Sequence, residues 1–171
     1  RKVNPNVVGI TVFSCDFKIV KTYTEIIKKN FPNIVVVLGG PHISGVKDKI
    51  FEDFPLIDYA MAGECEVSFP LLLKNLENKV LENKVLENKN NSTKNSTAKS
   101  HKENYKHISG LIWRENGNVL LNPCIFEEDL DKLGFVSWEL MNPRTYPQAP
   151  QGAVFRNWPI APIITARGCP Y

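Results

Sequence analysis

Ile34-Val-Val-Val-Leu38 is apolar at five consecutive positions with no polar alternation. That pattern predicts a strand buried on both faces, as at the centre of a parallel sheet covered by helices. Val7–Phe13 predicts a second strand of the same kind, and Ile57-Asp-Tyr-Ala-Met61 a third. Between the first two, Val20, Tyr23, Ile27 and Phe31 recur near helical spacing, with Ser14 or Asp16 placed to cap the start and Asn30 and Pro32 to end the helix. A short helix is expected around Ser44–Phe54, with Val46, Ile50 and Phe51 inward. Another is expected from about Ser68 to Leu76, where Pro70 falls in the tolerant first turn.

Residues 6–76 thus spell β-α-β-α-β-α, half of a doubly wound fold. The predicted class is α/β, a Rossmann-like (flavodoxin-like) parallel sheet that is incomplete at the N-terminus. A three-stranded sheet would leave the apolar edge of Val7–Phe13 open, so one or two further strands are expected ahead of Arg1, and the chain reads as a piece of a longer protein.

Beyond Leu76 the pattern breaks. Leu-Glu-Asn-Lys occurs three times at a five-residue period from Leu76 and runs on into Asn91-Ser-Thr-Lys-Asn-Ser-Thr97. A period of five fits neither a helix face nor a strand face, and the polar composition favours a disordered insertion over 77–106 above the alternative, a charged helical arm for a partner. Order is expected to resume at Ile108–Arg114, with Asn116-Gly117 as a hairpin turn and Val119–Leu121 as the return strand. Pro-, Trp- and Phe-rich chain then reads as a packed linker, so 107–160 forms a hairpin and linker. A last short strand, Ala161–Thr165, opens the segment 161–171.

Charge sharpens this division. The net +3 belongs to the insertion, whose seven lysines face four glutamates, while the remainder is balanced. No basic face results, which argues against nucleic-acid binding. No apolar run reaches membrane-spanning length. The four cysteines (15, 65, 124 and 169) form no CxxC, and a reducing cytoplasmic setting is expected.

Candidate chemistry gathers where the strands end, since open α/β sheets bind ligands at the carboxyl ends of their strands. Three tips contribute to one rim: Thr11, Val12, Phe13 and Ser14; then Gly39, Gly40, Pro41 and His42; then Gly63 and Glu64. The glycine pair permits a sharp bend and close ligand approach, or a plain tight turn. Glu64 can accept a ligand hydrogen bond or favour the following helix N-terminus. His42 lacks neighbours at metal-ligand spacing. Cys169, in Arg-Gly-Cys-Pro, is set in a loop that would present a thiolate, and no catalytic residue is assigned.

Five segments in this order are similar to the cobalamin-binding radical S-adenosylmethionine enzymes: Val-Val-Gly-Ile-Thr, Val-Leu-Gly-Gly-Pro-His, Asp-Tyr-Ala-Met-Ala-Gly-Glu-Cys-Glu, Ile-Ser-Gly-Leu-Ile-Trp-Arg and Thr-Ala-Arg-Gly-Cys-Pro-Tyr. The resemblance implies a partial B12-binding domain over 1–76 and the beginning of a radical SAM domain over 161–171. It implies that the three tips line the groove for the cobalamin nucleotide tail. Cys65 stands where the family's Gly-Glu-Gly-Glu turn has its second glycine, which puts that turn's conformation in question. Cys169 resembles the first cysteine of the CxxxCxxC loop that holds a [4Fe–4S] cluster, to which S-adenosylmethionine binds. The implied activity is C-methylation, or a related radical cyclisation or rearrangement, on a small-molecule substrate, with an external electron donor such as a flavodoxin or ferredoxin. A corrinoid carrier without radical chemistry and a cofactor-free flavodoxin-like interaction domain are the alternatives.

Overall fold

A computed structural model describes residues 4–88, 105–145, 157–161 and 167. It divides into two units, residues 1–130 and 131–171. The second carries short 3-10 turns at Leu130–Leu133, where the units meet in sequence, and at Pro143–Thr145. Beyond Ala161, the final strand expected at Ala161–Thr165 lies outside the described residues, as does the cysteine at 169.

The first unit is built on a five-stranded sheet in the order β1-β2-β3-β4-β5. β1 (Val7–Thr11), β2 (Val35–Gly39) and β3 (Tyr59–Met61) run parallel, joined by α1 (Phe17–Asn30) and by the broken pair α2 (Pro41–Val46) and α3 (Ile50–Asp53). The expected α/β sheet of parallel strands and crossover helices is present, with β1 at its edge. Alternate side chains of each strand serve opposite faces. Val36, Leu38, Ala60 and Ile112 join Val20, Ile43, Ile50, Phe51 and Phe54 in one core. Val37, Met61, Leu111 and Trp113 join Leu72, Leu76, Tyr105 and Ile108 in the other. Two covered faces are why β2 shows no polar alternation.

Several local expectations change. Neither Ser14 nor Asp16 caps α1 through its side chain. Val20 and Thr24 form the buried line of that helix, while Tyr23 and Phe31 are 50% and 59% exposed. The second helix is interrupted at Lys47, whose φ of 51° ends α2 before a 3-10 turn leads into α3.

Two larger corrections concern the insertion and the linker. α4 spans Ser68–Asn88, so 77–88 is helical rather than disordered. Leu, Glu and Lys are strong helix formers, and extending an existing helix adds a hydrogen bond per residue without a new nucleus, so the repeat needs no apolar stripe to continue it. At the other end of that segment Tyr105 is buried. Its hydroxyl lies 2.9 Å from that of Tyr59, and the Asn122 side-chain amide donates to the carbonyls of Tyr105 and Ile108. Burial, then the Tyr105 hydroxyl, pushes the Tyr59 phenol above its ordinary range.

The hairpin expected in the linker lies in the sheet itself. β4 (Leu111–Glu115) pairs antiparallel with β3, and β5 (Asn118–Leu121) pairs with β4. Asn116 and Gly117 both adopt positive φ, 52° and 81°, as an Asn-Gly turn requires. The hairpin is recruited because its inward side chains complete both cores, Ile112 on one face and Leu111 and Trp113 on the other. Trp113→Ala should therefore destabilise the first unit by about 3–5 kcal/mol. The check is the urea midpoint followed by far-ultraviolet circular dichroism; an unchanged midpoint would return the hairpin to the status of a linker.

Candidate functional site

At the carboxyl ends of β1, β2 and β3, backbone bonds bind one tip to the next. The Val12 N–H donates to the Gly39 carbonyl at 2.8 Å, and the His42 N–H donates to the Val12 carbonyl at 3.1 Å. Val12 itself is fully buried. Its side chain belongs to the core, so of the expected site residues it contributes backbone alone. Thr11 is exposed at the end of β1, and Phe13, 50% exposed, lies just past it.

Gly40 explains why the first two tips come so close. Its φ is +100°, a conformation L side chains rarely adopt, and a Cβ there would fall 2.8 Å from Thr11 Cγ2 and 3.0 Å from Val12 N and O. This glycine is demanded by the neighbouring strand. Gly39 differs: a Cβ would meet only the Met61 carbonyl oxygen, at 3.9 Å. Of the pair, Gly39 is the one whose missing side chain leaves room at the rim.

Ser14 and His42 form a second tie. Ser14 Oγ lies 3.1 Å from His42 Nδ1, which accounts for the serine's failure to cap α1. The imidazole also stands edge-on to Phe17, with ring centroids 5.5 Å apart. Its other nitrogen, Nε2, is buried without a hydrogen-bond partner. Pro41 occupies the first position of α2 and is exposed.

The third tip is joined by a residue absent from the sequence-based site. Ser44 Oγ donates to the Gly40 carbonyl at 3.3 Å and accepts the Gly63 N–H at 3.0 Å. A small hydroxyl residue four positions after a glycine bend is the signal that could have marked it. Gly63 has φ +77°, and Glu64, half-buried, receives the Ser68 hydroxyl on its backbone carbonyl at 3.2 Å, at the start of α4. Cys65 has no positive φ. A cysteine in place of a glycine therefore imposes no backbone strain on this turn.

Thr11, Gly39, Gly40, Ser14, His42 and Gly63 thus occupy one rim, with Glu64 following Gly63. Two surface hydroxyls, a position free of side chain at Gly39 and an unpaired buried ring nitrogen offer hydrogen-bonding groups and room to a polar ligand segment. Among the described residues no group of three His, Cys, Asp or Glu side chains could hold a metal ion. No helix among them is long and apolar enough to cross a membrane. A separate cavity of about 420 Å³ opens by Trp113, Glu115, Asn118 and Leu120. Leu121 and Asn122 also line it, so it runs along the β4–β5 hairpin and includes none of the rim residues.

The two glycines should separate in stability measurements. Gly40→Ala should cost on the order of 2–3 kcal/mol through strain and contact, whereas Gly39→Ala should stay within about 1 kcal/mol, both read from urea unfolding. Equal losses at the two positions would contradict the geometry.

Residues 1–73 match the family described as B12 binding domain. An uncharacterised methyltransferase of Pyrococcus horikoshii is 27% identical over 172 residues, spanning 100% of this chain and 31% of its own length. The cobalamin-dependent radical SAM methyltransferase TokK of Streptomyces tokunonensis is 34% identical over 71 residues, 42% of this chain and 10% of its own. The 2-(S-pantetheinyl)-carbapenam-3-carboxylate methyltransferase of Streptantibioticus cattleyicolor is 29% identical over 70 residues, 41% of this chain and 10% of its own. The chain spans about a third or less of the length of these relatives. The matched segment, residues 1–73, carries β1 to β3 and all three tips of the rim, so the likeness to the B12 binding domain covers the part of the chain that forms the rim.

Proposed function

We propose that the chain is the cobalamin-binding part of a cytoplasmic radical SAM enzyme that methylates carbon in a small-molecule substrate. The observation that carries this reading is the coincidence of the stitched rim with the segment matching the B12-binding domain family. Two of the similar proteins bear directly on the reaction: TokK is named a cobalamin-dependent radical SAM methyltransferase, and the Pyrococcus protein a methyltransferase.

In this reading Thr11, Ser14, Gly39, His42, Gly63 and Glu64 hold the nucleotide tail of cobalamin. Phe13, half-exposed at the rim, and Pro41 give its apolar parts a surface. Bound cobalamin supplies a transferable methyl group. The chain's own residues bind and orient it. Gly39 lets the tail approach the β2 backbone. Ser14 orients the His42 ring, whose Nε2 is left to pair with a polar group of the tail. Ser44 holds the second and third tips at a fixed spacing, so the trough is set before the ligand arrives. Preorganisation of this kind reduces the ordering cost of binding.

Cys169 is assigned as one thiolate of a [4Fe–4S] cluster that binds S-adenosylmethionine, on the strength of its Arg-Gly-Cys-Pro setting. A flavodoxin or ferredoxin would supply electrons.

The purified chain should bind cobalamin, detected as a change in the visible corrin absorption and by isothermal titration. Gly39→Val should weaken that binding about tenfold or more, equivalent to about 1.4 kcal/mol, because its methyl groups would occupy the approach to the β2 backbone. Valine suits a strand, so circular dichroism should be unchanged. A folded Gly39→Val variant with unaltered affinity would remove the rim as the site. For the whole enzyme, transfer of an isotopically labelled methyl group from S-adenosylmethionine to carbon is the expected activity. Turnover that leaves the label on S-adenosylmethionine while rearranging the substrate would overturn methylation.

A further inference from the structure

Two thiols that the cobalamin rim does not use converge on the turn that closes it. Cys124 places both Cβ and Sγ 3.3 Å from the position a Cβ would take on Gly63. Cys65 Sγ lies 3.6 Å from the Gly63 carbonyl oxygen. Both cysteines are half-buried and free. They come from segments 59 positions apart in sequence yet approach the same residue, one that has no side chain to keep them separate.

The framework around them fixes this convergence. The Ala62 N–H donates to the Gly110 carbonyl at 2.8 Å, the Gly110 N–H to the Pro123 carbonyl at 3.1 Å, and the Asn122 N–H to the Leu111 carbonyl at 2.9 Å. The residues just before Cys124 are therefore tied to the end of β3 through the first residues of the hairpin. Gly110 sits so close to Ala62 that a Cβ on it would collide with the Ala62 carbonyl. Cys65 is anchored by the Phe69 N–H, which donates to its carbonyl at 2.9 Å as α4 begins. Glu64 alone separates Gly63 from Cys65, so a two-residue turn is all that lies between the Cys124 contact and Cys65 itself.

From these contacts we infer that Cys65 and Cys124 are a redox pair, joined as a disulfide when a peroxide reaches the turn. The thiolate of Cys124 attacks one peroxide oxygen, the O–O bond breaks, and the second oxygen leaves as water after taking a proton, which makes Cys124 a sulfenic acid. The Cys65 thiolate attacks that sulfur, the S–O bond breaks, and a second water departs. Two electrons and two protons pass from the thiols to the peroxide, which ends as two waters. Burial, with Glu66 nearby, holds the Cys65 thiol above its ordinary range, which disfavours it as the first nucleophile and suits it to the resolving step. The bond would close a loop across Gly63 and Glu64, and so pin the third tip of the rim to the hairpin.

The test uses the chain as it stands, reduced, exposed to excess hydrogen peroxide, alkylated with iodoacetamide and mapped by mass spectrometry without reduction. The expected result is a loss of about 2 Da, as two thiol hydrogens leave, in a peptide pair that carries Cys65 and Cys124 and disappears after dithiothreitol. Recovery of both cysteines in separate peptides from protein whose circular dichroism is intact would overturn the inference, as would a link from either to Cys15 or Cys169. Cys124→Ser should abolish the link and leave Cys65 alkylated. The wild-type map decides the matter even where that variant fails to fold. Neither readout depends on cobalamin.

Discussion

Everything at the rim follows from the contact of Gly40 with the backbone of Val12. The bend that ends β2 must turn back against β1 tightly enough for the Gly39 carbonyl to accept the Val12 N–H and for the Val12 carbonyl to accept the His42 N–H. No Cβ fits in that space. Once the two tips are locked, the position of α2 is set, and with it the side chains of His42 and Ser44. His42 then reaches back to Ser14 on the first tip, and Ser44 reaches forward to Gly63 on the third. A single steric requirement thus places hydroxyl, imidazole and bare backbone along one line. The buried core supports this line, since Val12, Leu38, Ile43 and Ala62 all pack in the same cluster.

This arrangement separates two roles that a glycine pair blurs. In sequence, Gly39 and Gly40 look equivalent, and either could mark close approach of a ligand. In the fold, Gly40 is consumed by the protein's own backbone, whereas Gly39 faces open space beyond the Met61 carbonyl. A substitution at Gly40 would report on folding whatever the ligand, so evidence for binding has to come from Gly39.

The parallel half of the fold was legible because its signals are short-range. Apolar runs of five residues, helical spacing in α1 and glycine bends are all contained within windows of a few turns. What stayed hidden depends on partners far away in the chain. Nothing in Ile108–Leu121 announces that it pairs with β3, since a hairpin carries its own turn chemistry and is agnostic about its neighbour; Trp113 and Ile112 reveal it only through the two cores they complete. Ser14 illustrates the same limit at the site. Its position before a helix favours capping, yet a histidine 28 residues later captures its hydroxyl. The helical extension of α4 is hidden for a different reason: the period of the repeat points away from a helix while its residue propensities favour one. A Leu-Glu-Asn-Lys repeat has no apolar face to bury, but a helix already anchored by Leu72 and Leu76 can propagate through it on propensity alone.

The hairpin's place in the sheet also changes what the third tip can be. Had it been a linker, Gly63–Glu64 would end a strand at the boundary of the domain, free to adjust. Instead Gly110 abuts the carbonyl of Ala62, and Cys124 rests against Gly63. The turn is therefore held from two directions, by Ser44 from the second tip and by the hairpin from the far side. A rim made of three strand tips keeps its spacing only if the outermost tip is braced. Here the brace is the antiparallel addition, so β4 and β5, which contribute no residue to the rim, hold its third side in position.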